Sequence, residues 1–458
     1  MNIRYGISWT DVRRGKLTLC LGVALSALLA LGTPAHAAPK KQTPASTTTA
    51  APATAPVADT PTADDMAAGQ SLAAVRAAIG ADAIGATGAG VDVAVIDSGT
   101  VPVAGLNGTN KVYQGPDFST ESQGNRDLRN LDTFGHGTHI AGIIAGNDPQ
   151  TGYQGIAPGS RIVNVKVANA DGSTSPMALL AAVKWVVDNR HARGLNIRVI
   201  NLSFGADPNA DYTKDILVAA TEYAWQQGVV VVVSAGNNGP DAHQLDSPAI
   251  DPFAISVGGE ATNGNADPSD DTIADWSSSG NASRNPDLVA PGASLVSLRD
   301  PGSYLDANFP QGEVGTRFFK GSGTSQAAAV VSGAVADLLS KHPSLTPDQV
   351  KDLLTSTAAP IPGVDASEQG AGRIDLVAAD AAAVDPDHAG QPWKWSPILL
   401  AYEDGTMVDP TTGQLTVEIV APGGTTADGS RWSGSRWSGS RWSGSRWSGS
   451  RWSGSRWS

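Results

Sequence analysis

The chain has 458 residues, 41% hydrophobic and 16% charged, with a formal net charge of −13 and one cysteine. That length holds one large domain plus appendages, the acidic balance argues against nucleic acid as a partner, and the lone Cys20 excludes an intramolecular disulfide. Setting aside the basic start and the six tail arginines leaves −22 over residues 38–430, which strengthens the second exclusion.

Residues 1–37 read as an export signal. Arg4, Arg13, Arg14 and Lys16 precede an apolar run at 17–31, and Ala35-His36-Ala37 offers the small-x-small pattern of a cleavage site. The apolar run is short for a membrane anchor. In residues 38–70, Ala, Pro and Thr fill 22 of 33 positions, which predicts a disordered linker.

From 71 to 385 the pattern changes to strands alternating with helices. "VDVAVI" (91–96), "RIVNVKV" (161–167), "IRVINLSF" (197–204), "VVVVVSA" (229–235) and "FAISVGG" (253–259) are β-branched runs suited to a parallel sheet covered on both faces. Helices are predicted at 177–190, at 213–227 before Gly228, and at 346–354, where Thr346 and Gln349 stand at capping-box spacing with Pro347 first in the helix. The alternation predicts an α/β, doubly wound, mainly parallel fold with sites beyond the carboxyl ends of strands.

Residues 386–429 form an extension containing "PILLAY" and "QLTVEIV". From 430 to 458 the chain repeats Ser-Arg-Trp-Ser-Gly, with Trp432, Trp437, Trp442, Trp447, Trp452 and Trp457 five residues apart. That period gathers the tryptophans on no single side of a helix or strand, and the Gly/Ser content predicts a flexible tail. Three readings stand open: a functionless extension; multivalent Arg-Trp contact with cell-wall polymers or anionic membrane headgroups; or a segment cut or modified after export.

Four stretches could carry chemistry. "VIDSG" leaves Asp97 at a strand's carboxyl end, as a turn residue, a phosphorylation or metal site, or part of a catalytic group. In "DTFGHGTHIAGIIAG" (132–146), His136 lies between glycines before an apolar helix; it is a cap-proximal histidine, a base, or with His139 two zinc ligands lacking a third. "VVVVVSAGNNGP" (229–240) ends in Asn237 and Asn238, turn residues or an amide able to donate to an oxyanion. In "KGSGTSQAAAVVSGAV" (320–335), Ser325 is a helix-start cap or a nucleophile. A serine hydroxyl needs a base to take its proton, and that base needs a carboxylate to fix its tautomer. Asp97, His136 and Ser325 together supply that set.

At these residues the sequence resembles the subtilisin-like serine peptidases, or subtilases. "VAVIDSG", "HGTHIAG", "SAGNNG" and "GTSQAAA" occur in the family's order, and "GIAPGSRIVNVKV" (155–167), "NLSFG" (201–205) and "LVAPG" (288–292) support them, over about residues 74–384. The resemblance implies that Ser325 attacks the scissile carbonyl, His136 accepts its proton, Asp97 orients His136, and Asn237 with the Ser325 N–H holds the oxyanion. It further implies substrate binding along Ser203, Phe204 and Gly205, where peptide adds as a strand, and along Ser234, Ala235 and Gly236 as a pocket wall. Expected partners are protein or peptide substrates, met by a secreted monomer whose tail retains it at the cell envelope. No cofactor is required by this chemistry. Many members hold structural calcium, yet no calcium loop matches residue by residue; the acidic stretch 117–132, with Asp117, Glu121, Asp127 and Asp132, is a candidate beside a plain solvated loop.

Two further departures bear on the expectation. Gln326 stands where the family most often has methionine, and is expected to lie along the same groove with its amide at the rim. Only 53 residues separate Ala38 from Val91, leaving little room for a folded inhibitory prodomain. A catalytically silent relative serving as a binding or envelope module is the alternative, disfavoured by four intact catalytic positions. An α/β-hydrolase esterase lacks its G-x-S-x-G elbow and its Ser-Asp-His order here.

Overall fold

The structure, a computed structural model, describes residues 71–262, 268–384 and 395–396, all within one unit of the chain, Asp59–Ser458. The expected signal, linker and repeat tail lie outside the described residues, as does the 386–429 extension save Trp395 and Ser396.

Seven strands form the parallel body of the main sheet: β1 Asp92–Asp97, β2 Val112–Asp117, β3 Arg161–Lys166, β4 Ile197–Leu202, β5 Val230–Ser234, β6 Ile255–Ala261 and β7 Leu288–Pro291. They run in the order β7-β6-β5-β4-β1-β3-β2, with Thr272–Ile273 added antiparallel on β6. β1 and β5 are buried at every position, as near-continuous apolar runs in a two-sided sheet require. The doubly wound parallel fold is the one expected.

Helix α1 Leu72–Ala78 opens the described chain. Helices α2 His136–Ala145 and α5 Thr324–Lys341 pack together against the sheet, as do α3 Pro176–Asn189 and α4 Ile216–Gln226. Strands buried on both faces place these pairs on opposite sides. The expected helix starts are capped as their sequences suggest: Ser175 accepts from Ala178 N–H before α3, and Thr346 and Gln349 close a reciprocal box at α6 Pro347–Ser356. Helix α4 starts later than expected, at Ile216, because Asp215 caps it and residues 212–214 form a separate 3₁₀ turn.

Chain direction across the sheet reverses at β1, which has β3 on one side and β4 on the other. The crevice beyond such a reversal is where ligands bind in open α/β sheets. Asp97 ends β1 there, and Ser203 follows the end of β4.

Two details lie beside this frame. Trp395 stacks on Phe253 with centroids 3.7 Å apart, and Ser396 N–H donates to both Glu222 oxygens at 3.0 and 2.9 Å, so the extension is pinned to the domain at that point. Asp337, three turns along α5, is fully buried with neither carboxylate oxygen hydrogen-bonded among the described residues. Burial pushes its carboxyl up to about 8, against the pull of Arg76 and with the push of Asp82. A raised carboxyl holds its proton in the folded state, so its contribution to stability is full below pH ~4 and is lost as pH rises towards 8. Asp337→Asn is therefore expected to be more stable than the parent by about 1–3 kcal/mol at pH 8 and equal to it near pH 4. Denaturant unfolding at the two pH values checks this; an equal difference at both would contradict it.

Candidate functional site

Asp97 and His136 meet in full burial. His136 Nδ1 lies 2.9 Å from each Asp97 oxygen. A carboxylate only accepts, so Nδ1 carries a proton towards Asp97, and Nε2 is the ring's other nitrogen. Burial pushes the Asp97 carboxyl up, while His136 and the Ser98 N–H, 2.6 Å from Oδ1, pull it down.

The approach of α2 to β1 depends on glycine. A Cβ on Gly137 would fall 2.2 Å from Gly99 O, so any side chain there would drive the helix start away from Asp97. Gly135, before His136, has φ +103°, a conformation that disfavours L side chains. The "GHG" motif is a packing requirement as much as a chemical one.

Behind the pair lies a polar layer that sequence reasoning missed. Asp132 accepts from Ser98 Oγ (2.7 Å), Gly135 N–H (2.7 Å) and Thr138 N–H (2.7 Å), which fastens the first turn of α2 to the loop after β1. Ser98 Oγ in turn accepts from Gly137 N–H at 2.9 Å. Lys166, opposite Asp97 in register on β3 and fully buried, donates to Ser98 O (2.6 Å) and Leu131 O (2.7 Å) and pairs with Glu121 at 2.8 Å. Ser98 was legible as the neighbour of Asp97, and Asp132 by its place four residues before His136. Nothing local marks Lys166.

Of the four acids in the stretch considered for calcium, Asp127 is exposed and the other three accept from protein donors. Asp117 accepts from the Ser119 N–H and hydroxyl and from Asn130 N–H, Glu121 accepts from Thr133 and pairs with Lys166, and Asp132 caps α2. Among the described residues no three His, Cys, Asp or Glu side chains gather where they could hold a metal ion. The zinc reading of His136 with His139 finds no third ligand among the described residues. His139 Nε2 lies 3.1 Å from Phe319 O in full burial, and burial with the nearby His136 pushes its pKa down to about 3.

Ser325 is the second residue of α5 and is 5% exposed. It is tied to the end of β4 in both directions: Ser203 Oγ donates to Ser325 O at 2.9 Å, and Ser325 Oγ donates to Ser203 O at 3.3 Å. Asn201 holds Ser203 from below, its Nδ2 donating to Ser203 Oγ at 2.9 Å while its Oδ1 accepts from Ser332 of α5 at 2.9 Å. As a first-turn amide, the Ser325 N–H has no acceptor within its helix. Asn237 stands beside it, its Oδ1 accepting from the Thr324 N–H (2.8 Å) and hydroxyl (3.1 Å). That fixes the amide's orientation and leaves Nδ2 as its donor end.

The remaining expected residues gather here too. Ser234 Oγ donates to Phe204 O at 3.3 Å, and Gly236 N–H to Thr324 Oγ1 at 3.3 Å, so 203–205 and 234–236 face each other beside Ser325. The Phe204 side chain belongs to the core, lining a small apolar cavity with Leu179, Leu202 and Leu217. Ala235 is likewise buried, and its carbonyl accepts from Asp246 N–H at 3.0 Å. Gln326 departs from expectation. It is fully buried, not at a rim, and neither amide atom has a hydrogen-bond partner among the described residues, because the first turns of α5 face inward on all sides.

A buried acid bonded to an imidazole, on a helix packed along the one that starts with Ser325, and an asparagine amide bonded to that helix start form a set that suits nucleophilic acyl transfer. The family model described as "Subtilase family" matches residues 88–373. The chain is 36% identical over 296 residues to serine protease AprX of Bacillus subtilis (strain 168), covering 62% of this chain and 64% of that one. It is 34% identical over 290 residues to subtilisin DY of Bacillus licheniformis, covering 63% and 89%. Among solved structures, that of fervidolysin from Fervidobacterium pennivorans, described as a keratinolytic enzyme related to subtilisin, matches with a TM-score of 0.53 and 26% identity, over 68% of this chain and 45% of that one. The chain thus spans less than two thirds of AprX and less than half of fervidolysin.

Proposed function

The chain belongs to the subtilase family of subtilisin-like serine proteases, and from that footing we propose that it is an exported serine endopeptidase acting through Asp97, His136 and Ser325. The observation that carries the reading is the buried Asp97–His136 pair, whose hydrogen bond leaves Nε2 as a base on a helix packed along the one that starts with Ser325. In this mechanism Nε2 takes the Ser325 Oγ proton as Oγ attacks the scissile carbonyl. Asn237 Nδ2 and the Ser325 N–H receive the developing oxyanion. His136 then delivers its proton to the leaving amine, and water attacks the acyl-enzyme by the same steps in reverse. Asp97 stabilises the imidazolium throughout, and no cofactor enters any step.

Export is supported by the basic and apolar start with its small-x-small site. Among the described residues no helix is long and apolar enough to cross a membrane. The Arg-Trp tail is proposed to retain the protein at the cell envelope. Deleting 430–458 is expected to reduce cell-bound protein while leaving small-peptide turnover unchanged; equal retention contradicts the tail's role.

The reading is tested by fluorophosphonate labelling of the purified protein and peptide mapping. Label on Ser325 that is lost in His136→Ala and on unfolding supports an assembled triad. A folded protein that takes no label would be a silent relative.

A further inference from the structure

We propose that Asp246 makes the specificity slot of this peptidase acidic, so that it cuts after arginine and lysine; the inference rests on the peptidase reading above. Three segments meet beside the nucleophile. The first, 203–206, is bonded to Ser325 through Ser203. The second, 234–237, is bonded to Thr324 through Gly236 and Asn237. The third, 246–247, is stitched to both: Asp246 N–H donates to Ala235 O at 3.0 Å, and Ala206 and Ser247 exchange backbone bonds at 3.0 and 2.8 Å. Asp246 therefore lies where the two substrate walls are joined.

Its side chain lies between them. A Cβ on Gly205 would fall 2.4 Å from Asp246 Oδ2, and one on Gly236 would fall 2.8 Å from Asp246 Cγ and 2.9 Å from Oδ2. The carboxylate thus occupies the space left by two glycines, one on each wall. Asn238 Nδ2 donates to Oδ1 at 2.9 Å and orients the group. The residue is half-buried, part desolvated and part open.

A substrate side chain entering between the walls meets that carboxylate. An apolar side chain would cover it without offering a donor, which is costly for a charged acceptor. A guanidinium can pair with it through two N–H groups, and an ammonium through one. An acidic side chain would be repelled. The order expected is therefore arginine, then lysine, far above leucine or phenylalanine, with aspartate and glutamate rejected.

The inference also gives the tail a chemistry. Arg431, Arg436, Arg441, Arg446, Arg451 and Arg456 are each followed by tryptophan, so the tail presents six bonds that this slot would select. Cutting them releases Trp-Ser-Gly-Ser-Arg.

The test compares fluorogenic peptides that differ only in the residue before the cut, using the full chain. The kcat/KM ratio of Arg to Leu is expected to be at least about 100, and to fall by at least about 30-fold in Asp246→Asn and in Asp246→Ser. The same preparation, incubated with the Ser325→Ala chain, should release Trp-Ser-Gly-Ser-Arg. A parent that cuts equally well after Leu, or an Arg-to-Leu ratio unchanged in both variants, would overturn the assignment. Casein digested with the tail left whole would do so as well. A protein that cuts no peptide and takes no fluorophosphonate would instead sink the peptidase reading, and the inference with it.

Discussion

Ser325→Ala is expected to lower kcat/KM for peptide hydrolysis by about 10⁶-fold, a size carried over from subtilisin itself. The physical reason is that the proposed covalent step runs through this hydroxyl alone. Ser325 lies at the start of a helix packed along the one that carries His136, and its Oγ makes one long bond of 3.3 Å within the protein. Removing Oγ therefore sacrifices the covalent step and little stability, and Tm should move by no more than about 2 °C. Parallel rate and melting measurements on parent and variant decide it. A variant that keeps more than about 1% of the parent rate in a contaminant-free preparation would remove Ser325 from the mechanism.

The second large effect falls on Asn237, and its geometry separates two roles that one substitution to alanine would mix. Oδ1 holds the start of α5 through Thr324, whereas Nδ2 is the donor left for the oxyanion. Asn237→Asp keeps an acceptor for Thr324 at a helix N-terminus, where negative charge is favourable. It removes the donor and sets charge against charge in the transition state. The expected result is a fall in kcat of at least about 10²–10³, the range measured for the corresponding subtilisin asparagine, with KM little changed. Denaturation midpoints should stay within about 0.5 kcal/mol of the parent. A kcat within tenfold of the parent would assign Asn237 to holding the helix alone.

These two cases show what kind of inference each residue allowed. Asp97, His136 and Ser325 could be picked out because each sits in a short motif whose glycines and apolar neighbours dictate a strand end or a helix start. The strands could be read as well, since β-branched runs such as 229–235 have one plausible fate in a two-sided parallel sheet. Lys166 could not. It reads as the polar end of a strand, yet the fold buries it completely and spends its amine on the loop after β1. Asp132 was readable as an acid, but neither reading of its stretch, cation loop or solvated loop, foresaw its buried place, because its three donors come from Ser98, Gly135 and Thr138, of which the first is 34 residues away. Gln326 was misplaced for a related reason. Helical periodicity leaves a polar residue an outer face, but α5 has none over its first turns, being enclosed by the sheet and by α2.

By itself the sequence determined the class of fold and the order of its elements, and it singled out Asp97, His136 and Ser325 as the candidates for the chemistry, since these follow from local periodicity, capping and motif chemistry. Only the tertiary structure decided what surrounds each carboxylate. It set Asp97 on His136, put Asp132 behind Ser98, left Asp337 on α5 without a hydrogen-bond partner among the described residues, and lodged Asp246 between Gly205 and Gly236. A carboxylate's role depends on the donors and the burial around it, and those come from segments distant in the chain.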